Sequence, residues 1–107
     1  MYGKSNYKEG LKIKYIYIYD ILPGKKSDPV RMKFYKELFG FKYTWKTKIK
    51  RKVKRLPGLL DREGCETVGD SAILVPENYA EEYNAFFRKY QDIISCRVFI
   101  VQDEVRF

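Results

Sequence analysis

The chain of 107 residues contains no histidine and only two cysteines, Cys65 and Cys96. Without histidine the commonest general base near neutral pH is absent, which argues against a nucleophilic triad. The two cysteines have no CxxC spacing and no histidine to complete a ligand set, so we expect no zinc site. Nothing in the sequence marks the chain as secreted, and we therefore expect two reduced thiols; a disulfide between them is the alternative.

Long apolar runs and cofactor motifs are also missing. No segment approaches the roughly 20 apolar residues that a membrane-spanning helix needs. The GKKS sequence at Gly24 to Ser27 resembles the end of a phosphate-binding loop, but Tyr19 occupies the place of the first glycine that this motif requires. The sequence therefore predicts a cytoplasmic protein with no membrane segment and no cofactor.

Positive charge is concentrated in one segment. The formal net charge is +8, from 22 Lys and Arg against 14 Asp and Glu. Residues 41–55, FKYTWKTKIKRKVKR, hold eight cations and no acid, so the rest of the chain is neutral overall. We call this segment the basic ribbon. Its cations, our candidate nucleic-acid-binding residues, are Lys42, Lys46, Lys48, Lys50, Arg51, Lys52, Lys54 and Arg55.

Side-chain character alternates along the basic ribbon at the two-residue period of a β-strand. One set of positions begins with Phe41, Tyr43 and Trp45, whereas lysines dominate the other set. We interpret the ribbon as an edge strand that buries its aromatic face and holds its lysines in water. At about 3.3 Å per residue it is longer than a sheet needs. Its distal half, about Lys48 to Arg55, should continue as a two-stranded arm that closes through Leu56 to Gly64.

The remaining pattern predicts an α+β domain. Strands are expected at Leu11 to Ile21, Thr67 to Val75 and Ile93 to Val101, and helices at Asp28 to Gly40 and Asn78 to about Tyr90. With the ribbon as second strand, this is the βαββαβ order of the ferredoxin-like fold. We therefore predict one ferredoxin-like domain over residues 1–107. It has a four-stranded antiparallel sheet, two helices on one face, an extended basic β2–β3 hairpin and a loose arm at residues 1–10.

The leading functional hypothesis is binding of DNA or RNA by the ribbon, mainly through phosphates and with little sequence readout. A competing interpretation is structural: lysines protect an open sheet edge from aggregation, and Glu63, Glu66 and Asp70 partly neutralise them. Another is a non-catalytic assembly protein whose apolar last strand pairs with a second copy as a homodimer. Tyr43 and Trp45 could stack on bases if exposed, but their alternation with lysine favours burial.

Asp20 ends the first strand in the tripeptide Tyr19, Asp20, Ile21. This strand resembles the first strand of the small ferredoxin-like CRISPR-associated nuclease and adaptor proteins, whose usual pattern does not include a long lysine ribbon. The resemblance implies that paired Asp20 carboxylates at a dimer interface could bind magnesium for phosphodiester cleavage. The competing interpretation is a carboxylate that caps a turn or pairs with Lys25 or Lys26. We therefore assign no catalytic residue and no metal ligand.

Overall fold

The structure, a computed structural model, describes residues 13–107. Within this range the strands are β1 Lys14–Ile21, β2 Phe41–Lys46, β3 Arg51–Leu56, β4 Glu66–Gly69, β5 Ala72–Pro76 and β6 Ile94–Val101, and the helices are α1 Val30–Phe39 and α2 Ala80–Lys89. The α+β class and the antiparallel sheet are confirmed. The loose arm expected at residues 1–10 lies outside the described residues.

A four-stranded antiparallel sheet with the order β4-β5-β1-β6 forms the body of the protein. In its centre Tyr17 of β1 pairs with Ile73 of β5 on one side and with Val98 of β6 on the other. The central position of the two runs that are apolar on both faces is therefore confirmed. The single strand predicted at Thr67 to Val75 is wrong, because a turn at residues 70–71 divides it into β4 and β5.

The basic ribbon is not an edge strand of this sheet. It forms both β2 and β3, which pair with each other as a separate two-stranded sheet. The short strand β4 occupies the edge next to β5 instead. The ferredoxin-like topology is therefore not confirmed. The arm predicted to close through Leu56 to Gly64 is also wrong, because the ribbon reverses direction between β2 and β3.

Hydrogen bonds at both ends of α1, the helix between the sheet and the ribbon, fix where it begins and ends. The Val30 N–H donates to Asp28 Oδ1 over 2.8 Å, which satisfies one free donor of the first turn. At the other end Gly40, with φ at +77°, donates its N–H to the Lys36 carbonyl over 2.8 Å. Phe34 and Leu38 are fully buried between these ends. The predicted helix and its terminal glycine are confirmed.

The second helix, α2, begins differently from the prediction. A 3₁₀ turn over Glu77–Tyr79 leads into it, and no side-chain hydrogen bond caps it. The capping box predicted from Asn78 and Glu81 is therefore wrong. The predicted aromatic stripe is largely confirmed, because Tyr83, Phe86 and Phe87 are buried.

An aromatic core joins both helices to one face of the sheet. Tyr17 of β1 stacks on Phe87 of α2 with ring centroids 5.5 Å apart, and Tyr19 meets Phe34 of α1 edge to face at 5.5 Å. The Tyr17 hydroxyl lies 2.7 Å from Asn84 Oδ1 and 3.1 Å from the Ala80 carbonyl oxygen, and either oxygen can accept its single hydrogen. Burial raises the pKa of Tyr17 to about 12. No residue of β2 or β3 belongs to this core among the described residues.

Candidate functional site

Strands β2 and β3 form a hairpin that stands in solvent, which we call the basic hairpin. Every residue of the two strands is exposed except Phe41 and Leu56, the paired residues at the end nearest the body. Six paired positions at about 3.4 Å each give the hairpin a length of about 20 Å. Its side chains are therefore free to meet a partner along most of this length.

Thr47 shapes the turn at the tip of the hairpin. Its Oγ1 accepts the backbone N–H groups of Ile49 and Lys50, at 3.3 and 3.1 Å, and its own N–H donates to the Lys50 carbonyl at 2.9 Å. Threonine supports turns of this kind more weakly than asparagine or aspartate. The turn contains no Gly, Pro, Asn or Asp, so the sequence carries little sign of it. Lys48, Ile49 and Lys50 are all exposed there.

Two glycines allow the chain to cross itself at the root of the hairpin. A β-carbon on Gly58 would overlap the backbone nitrogen of Gly40, and one on Gly40 would overlap the carbonyl oxygen of Leu56. Gly40 also has a positive φ, which side-chain-bearing residues adopt at a cost. Only glycine at both positions lets the segments before and after the hairpin lie this close.

Arg55 clamps the same root. Its Nη2 donates to the Phe39 carbonyl and to Asp61 Oδ2, each at 3.0 Å. Asp61 Oδ2 also accepts the Gly58 N–H at 2.7 Å. The hydrogen bond from Gly58, and after it that from Arg55, lowers the pKa of Asp61. One guanidinium and one carboxylate therefore join the end of α1, the end of β3 and the turn that follows.

We expect the Asp61 clamp to make stability sensitive to acid. The pKa of Asp61 is lower in the folded state than its unfolded value of about 3.8. The ionised carboxylate therefore stabilises the fold above about pH 3.8, and this stabilisation is lost as the pH falls through the folded-state pKa. Urea unfolding from pH 6 to pH 2.5 should show a smaller acid-dependent loss for Asp61→Asn than for the parent. Asp92→Asn, which removes an exposed carboxylate elsewhere, should keep the parent's profile. Identical profiles for parent and Asp61→Asn would contradict the clamp.

The register divides the hairpin into two faces, because directly opposite residues in an antiparallel pair share a face. The cationic face consists of Lys42 opposite Arg55, Thr44 opposite Val53 and Lys46 opposite Arg51. The aromatic face consists of Phe41 opposite Leu56, Tyr43 opposite Lys54 and Trp45 opposite Lys52. The predicted separation of aromatic residues from lysines is therefore wrong, since the turn brings Lys52 and Lys54 beside the rings.

The rings of the aromatic face form a row that the sequence did not lead us to expect in solvent. Tyr43 and Trp45 remain 40% and 42% exposed, so their predicted burial is wrong. Their rings stack with centroids 5.5 Å apart and planes 27° from parallel, and Phe41 follows at 6.2 Å from Tyr43. Lys36 of α1 places its Nζ 4.8 Å from the Phe41 ring centre. Lys36 was not among the predicted cations, because its position beside the hairpin depends on how the root packs.

The structure brings all eight predicted cations onto the hairpin, but they are not equivalent. Arg55 is held in the root by its ion pair with Asp61. Within residues 13–107 the other seven make no ion pair. In the same part of the chain no ion pair joins the ribbon to Glu63, Glu66 or Asp70, which we considered as neutralising groups. Most of the protein's excess charge is therefore available to an external anion.

Asp20 lies on the face of β1 opposite the buried Tyr17 and Tyr19, and thus opposite the helices. It is exposed, it pairs with Ser95 across the strands, and its Oδ1 accepts the N–H of Ile21 at 2.9 Å. The described residues contain no group of three or more Cys, Asp or Glu arranged to hold a metal ion. Asp20 therefore makes a local contact with the backbone of the next residue in its own strand, and among the described residues it forms no ion pair with Lys25 or Lys26.

The two thiols make no disulfide, and Cys65 and Cys96 are both half-buried. Burial raises the pKa of Cys96 to about 11. It also raises the pKa of Cys65. Because the pKa of both thiols is raised, little thiolate is present near neutral pH, and neither cysteine is suited to act as a nucleophile.

Comparison of the chain with protein-family models, curated proteins and solved structures gave no match. Within residues 13–107 neither helix combines the length and apolarity needed to cross a membrane. The geometry of the basic hairpin is therefore the basis for assigning a function.

Proposed function

We propose that the protein binds DNA or RNA through the basic hairpin, mostly by contacts to phosphates that do not depend on sequence. The observation that carries this proposal is the pairing of like charges on the cationic face, where Lys46 lies directly opposite Arg51. Like charges in this position destabilise a hairpin. No ion pair relieves them among the described residues. Phosphates of a nucleic acid would attract both cations and so offset the repulsion between them.

The shape of the hairpin supports the same function. A two-stranded ribbon fits the major groove of DNA, and lysines or arginines along it meet phosphates. Since the rest of the chain is neutral overall, the hairpin is the principal source of the positive field. Protection of a sheet edge would explain one or two lysines. It does not explain an arginine placed directly opposite a lysine on a hairpin outside the main sheet.

Binding should be strongly salt-dependent. Five cations, three on the cationic face outside the root and two at the tip, can approach one phosphate backbone. They are Lys42, Lys46, Arg51, Lys48 and Lys50. A log-log slope of about −4.5 and a loss of about 500-fold between 50 and 200 mM salt are expected on duplex DNA, measured by fluorescence anisotropy.

Two double variants, each of which removes two positive charges, test whether the hairpin is the contact surface. Lys46→Gln with Lys50→Gln should weaken binding to all sequences alike and reduce the slope by about 2. Lys25→Gln with Lys26→Gln, on the exposed loop between β1 and α1, should keep nearly the parent's affinity and slope. Binding that hardly responds to salt, or equal losses in the two double variants, would refute the hairpin as the contact surface.

Reversing one charge on the cationic face should separate stability from binding. Arg51→Glu creates an opposite-charge pair with Lys46, so the free energy of unfolding should rise by about 0.2–1 kcal/mol. The affinity for nucleic acid should fall about tenfold or more at low salt, because a phosphate contact is replaced by a repulsion. Urea unfolding and anisotropy measure the two effects. Lys25→Glu makes the same charge change elsewhere and should leave both nearly unchanged; an Arg51→Glu variant that binds like the parent would count against the proposal.

A second candidate function is homo-oligomeric assembly, which the edge of β6 favours. This strand pairs with β1 on one side and is the last strand in the described sheet. Val98, Phe99 and Ile100 are 45%, 41% and 65% exposed, and Arg97 is the only charged residue of the strand. An apolar edge strand of this kind pairs readily with another strand. Antiparallel pairing of two β6 strands would join two sheets around a two-fold axis.

Ile100→Lys should prevent this assembly, because a lysine on an edge strand disfavours strand pairing. In sedimentation velocity at tens of micromolar the parent should run as a dimer and the variant as a monomer. Val105→Lys adds the same charge at an exposed position beyond the strand and should remain dimeric. A monomeric parent would reject the assembly function while leaving the nucleic-acid proposal intact.

A further inference from the structure

We infer that the aromatic face of the basic hairpin receives unpaired bases, so that the preferred ligand is a single-stranded nucleic acid. This inference rests on the proposed nucleic-acid binding by the hairpin and specifies the class of ligand. Its basis is the exposed row of rings on one face, which phosphate binding alone does not require. In a duplex the faces of each base are covered by neighbouring bases, whereas bases of a single strand can stack on protein side chains.

The arrangement of the rings fits such stacking. Tyr43 and Trp45 are 40% and 42% exposed although they pack against each other. They lie on alternate residues of one strand, so successive rings repeat at about 6.8 Å along the backbone. Phe41 continues the row toward the body at 6.2 Å from Tyr43. The row therefore offers a path for successive bases from the tip toward the root.

Cations lie beside these rings on the same face. Lys52 is opposite Trp45 and Lys54 is opposite Tyr43, so each exposed ring has an ammonium group as its cross-strand neighbour. A base that stacks on the ring would bring its phosphate near this ammonium group. Aromatic platforms combined with a positively charged track are characteristic of proteins that bind single strands.

Charge also decides between a nucleic acid and a second copy of this chain as the occupant of the aromatic face. A second copy placed with its hairpin on this face would bring another segment with eight cations and no acid against Lys52 and Lys54. Such an arrangement is repulsive. An anionic polymer with flat bases complements both the ammonium groups and the rings.

The chain contains one tryptophan, Trp45, so its fluorescence reports on the aromatic face alone. We expect an oligothymidine to quench this emission on binding. Heparin, a polyanion without bases, should bind in a salt-dependent manner with little quenching. Oligothymidine should bind at least tenfold more tightly than a duplex of equal length, measured by anisotropy with labelled DNA.

Two substitutions test the rings directly. Tyr43→Leu and Trp45→Leu should each weaken single-strand binding about five- to a hundredfold and change duplex binding less than twofold. Val53→Ala is the matched control, because it shortens a 60% exposed apolar side chain on the cationic face. Its single-strand affinity should stay within twofold of the parent. Circular dichroism of each variant should match the parent, so that loss of folding is recognised.

The outcomes separate this inference from the proposed function. If single strand and duplex bind equally, Trp45 emission is unchanged and the lysine variants still lose affinity, single-strand preference is wrong and nucleic-acid binding stands. If no nucleic acid binds in a salt-dependent manner, both are wrong. If Trp45 emission instead changes with protein concentration while sedimentation shows a dimer, the aromatic face is occupied by a second copy and the inference is overturned.

Discussion

Repulsion among eight cations on one short segment is the constraint that the rest of this structure accommodates. A segment with this charge gains little by joining the sheet, because its closely spaced ammonium groups favour water over a position beside a strand that is apolar on both faces. It pairs with itself in solvent instead, and the short strand β4 takes the edge of the sheet. The aromatic core between the sheet and both helices is consequently complete without the ribbon. The body of the protein and its charged hairpin are thus built from different parts of the chain.

The body could be predicted well because its signals are local and periodic. The runs around Tyr17 and Ile73 are apolar on both faces, which indicated central strands, and Gly40 marked the end of α1. The ribbon was predicted less well because its direction depends on one weak turn. Nothing in the alternation of residues 41–55 distinguishes one long strand from two short ones, and Thr47 lacks the turn propensity that asparagine or glycine would have provided.

That single turn changes which side chains share a face of the ribbon. In one continuous strand, odd and even positions face opposite ways. In the hairpin the register places odd residues opposite even ones, as for Trp45 and Lys52, so aromatic and basic side chains share a face. The eight candidate cations could be identified from the charge run in the sequence alone. Their grouping, and the exposure of the rings, followed from the register, which composition does not contain.

Arg55, unlike the other seven cations, forms an ion pair within the protein and attaches the hairpin to the body. Its guanidinium is held by the end of α1 and by Asp61, and the turn beside Asp61 is tied to the core because the Tyr83 hydroxyl donates to the Leu59 carbonyl at 2.9 Å. Using one cation in this way removes it from the proposed phosphate-binding set but anchors the root from which the other seven extend. A surface whose orientation is fixed before binding loses less conformational entropy when a ligand arrives. For the proposed binding, an anchored root would therefore compensate for the loss of one phosphate contact.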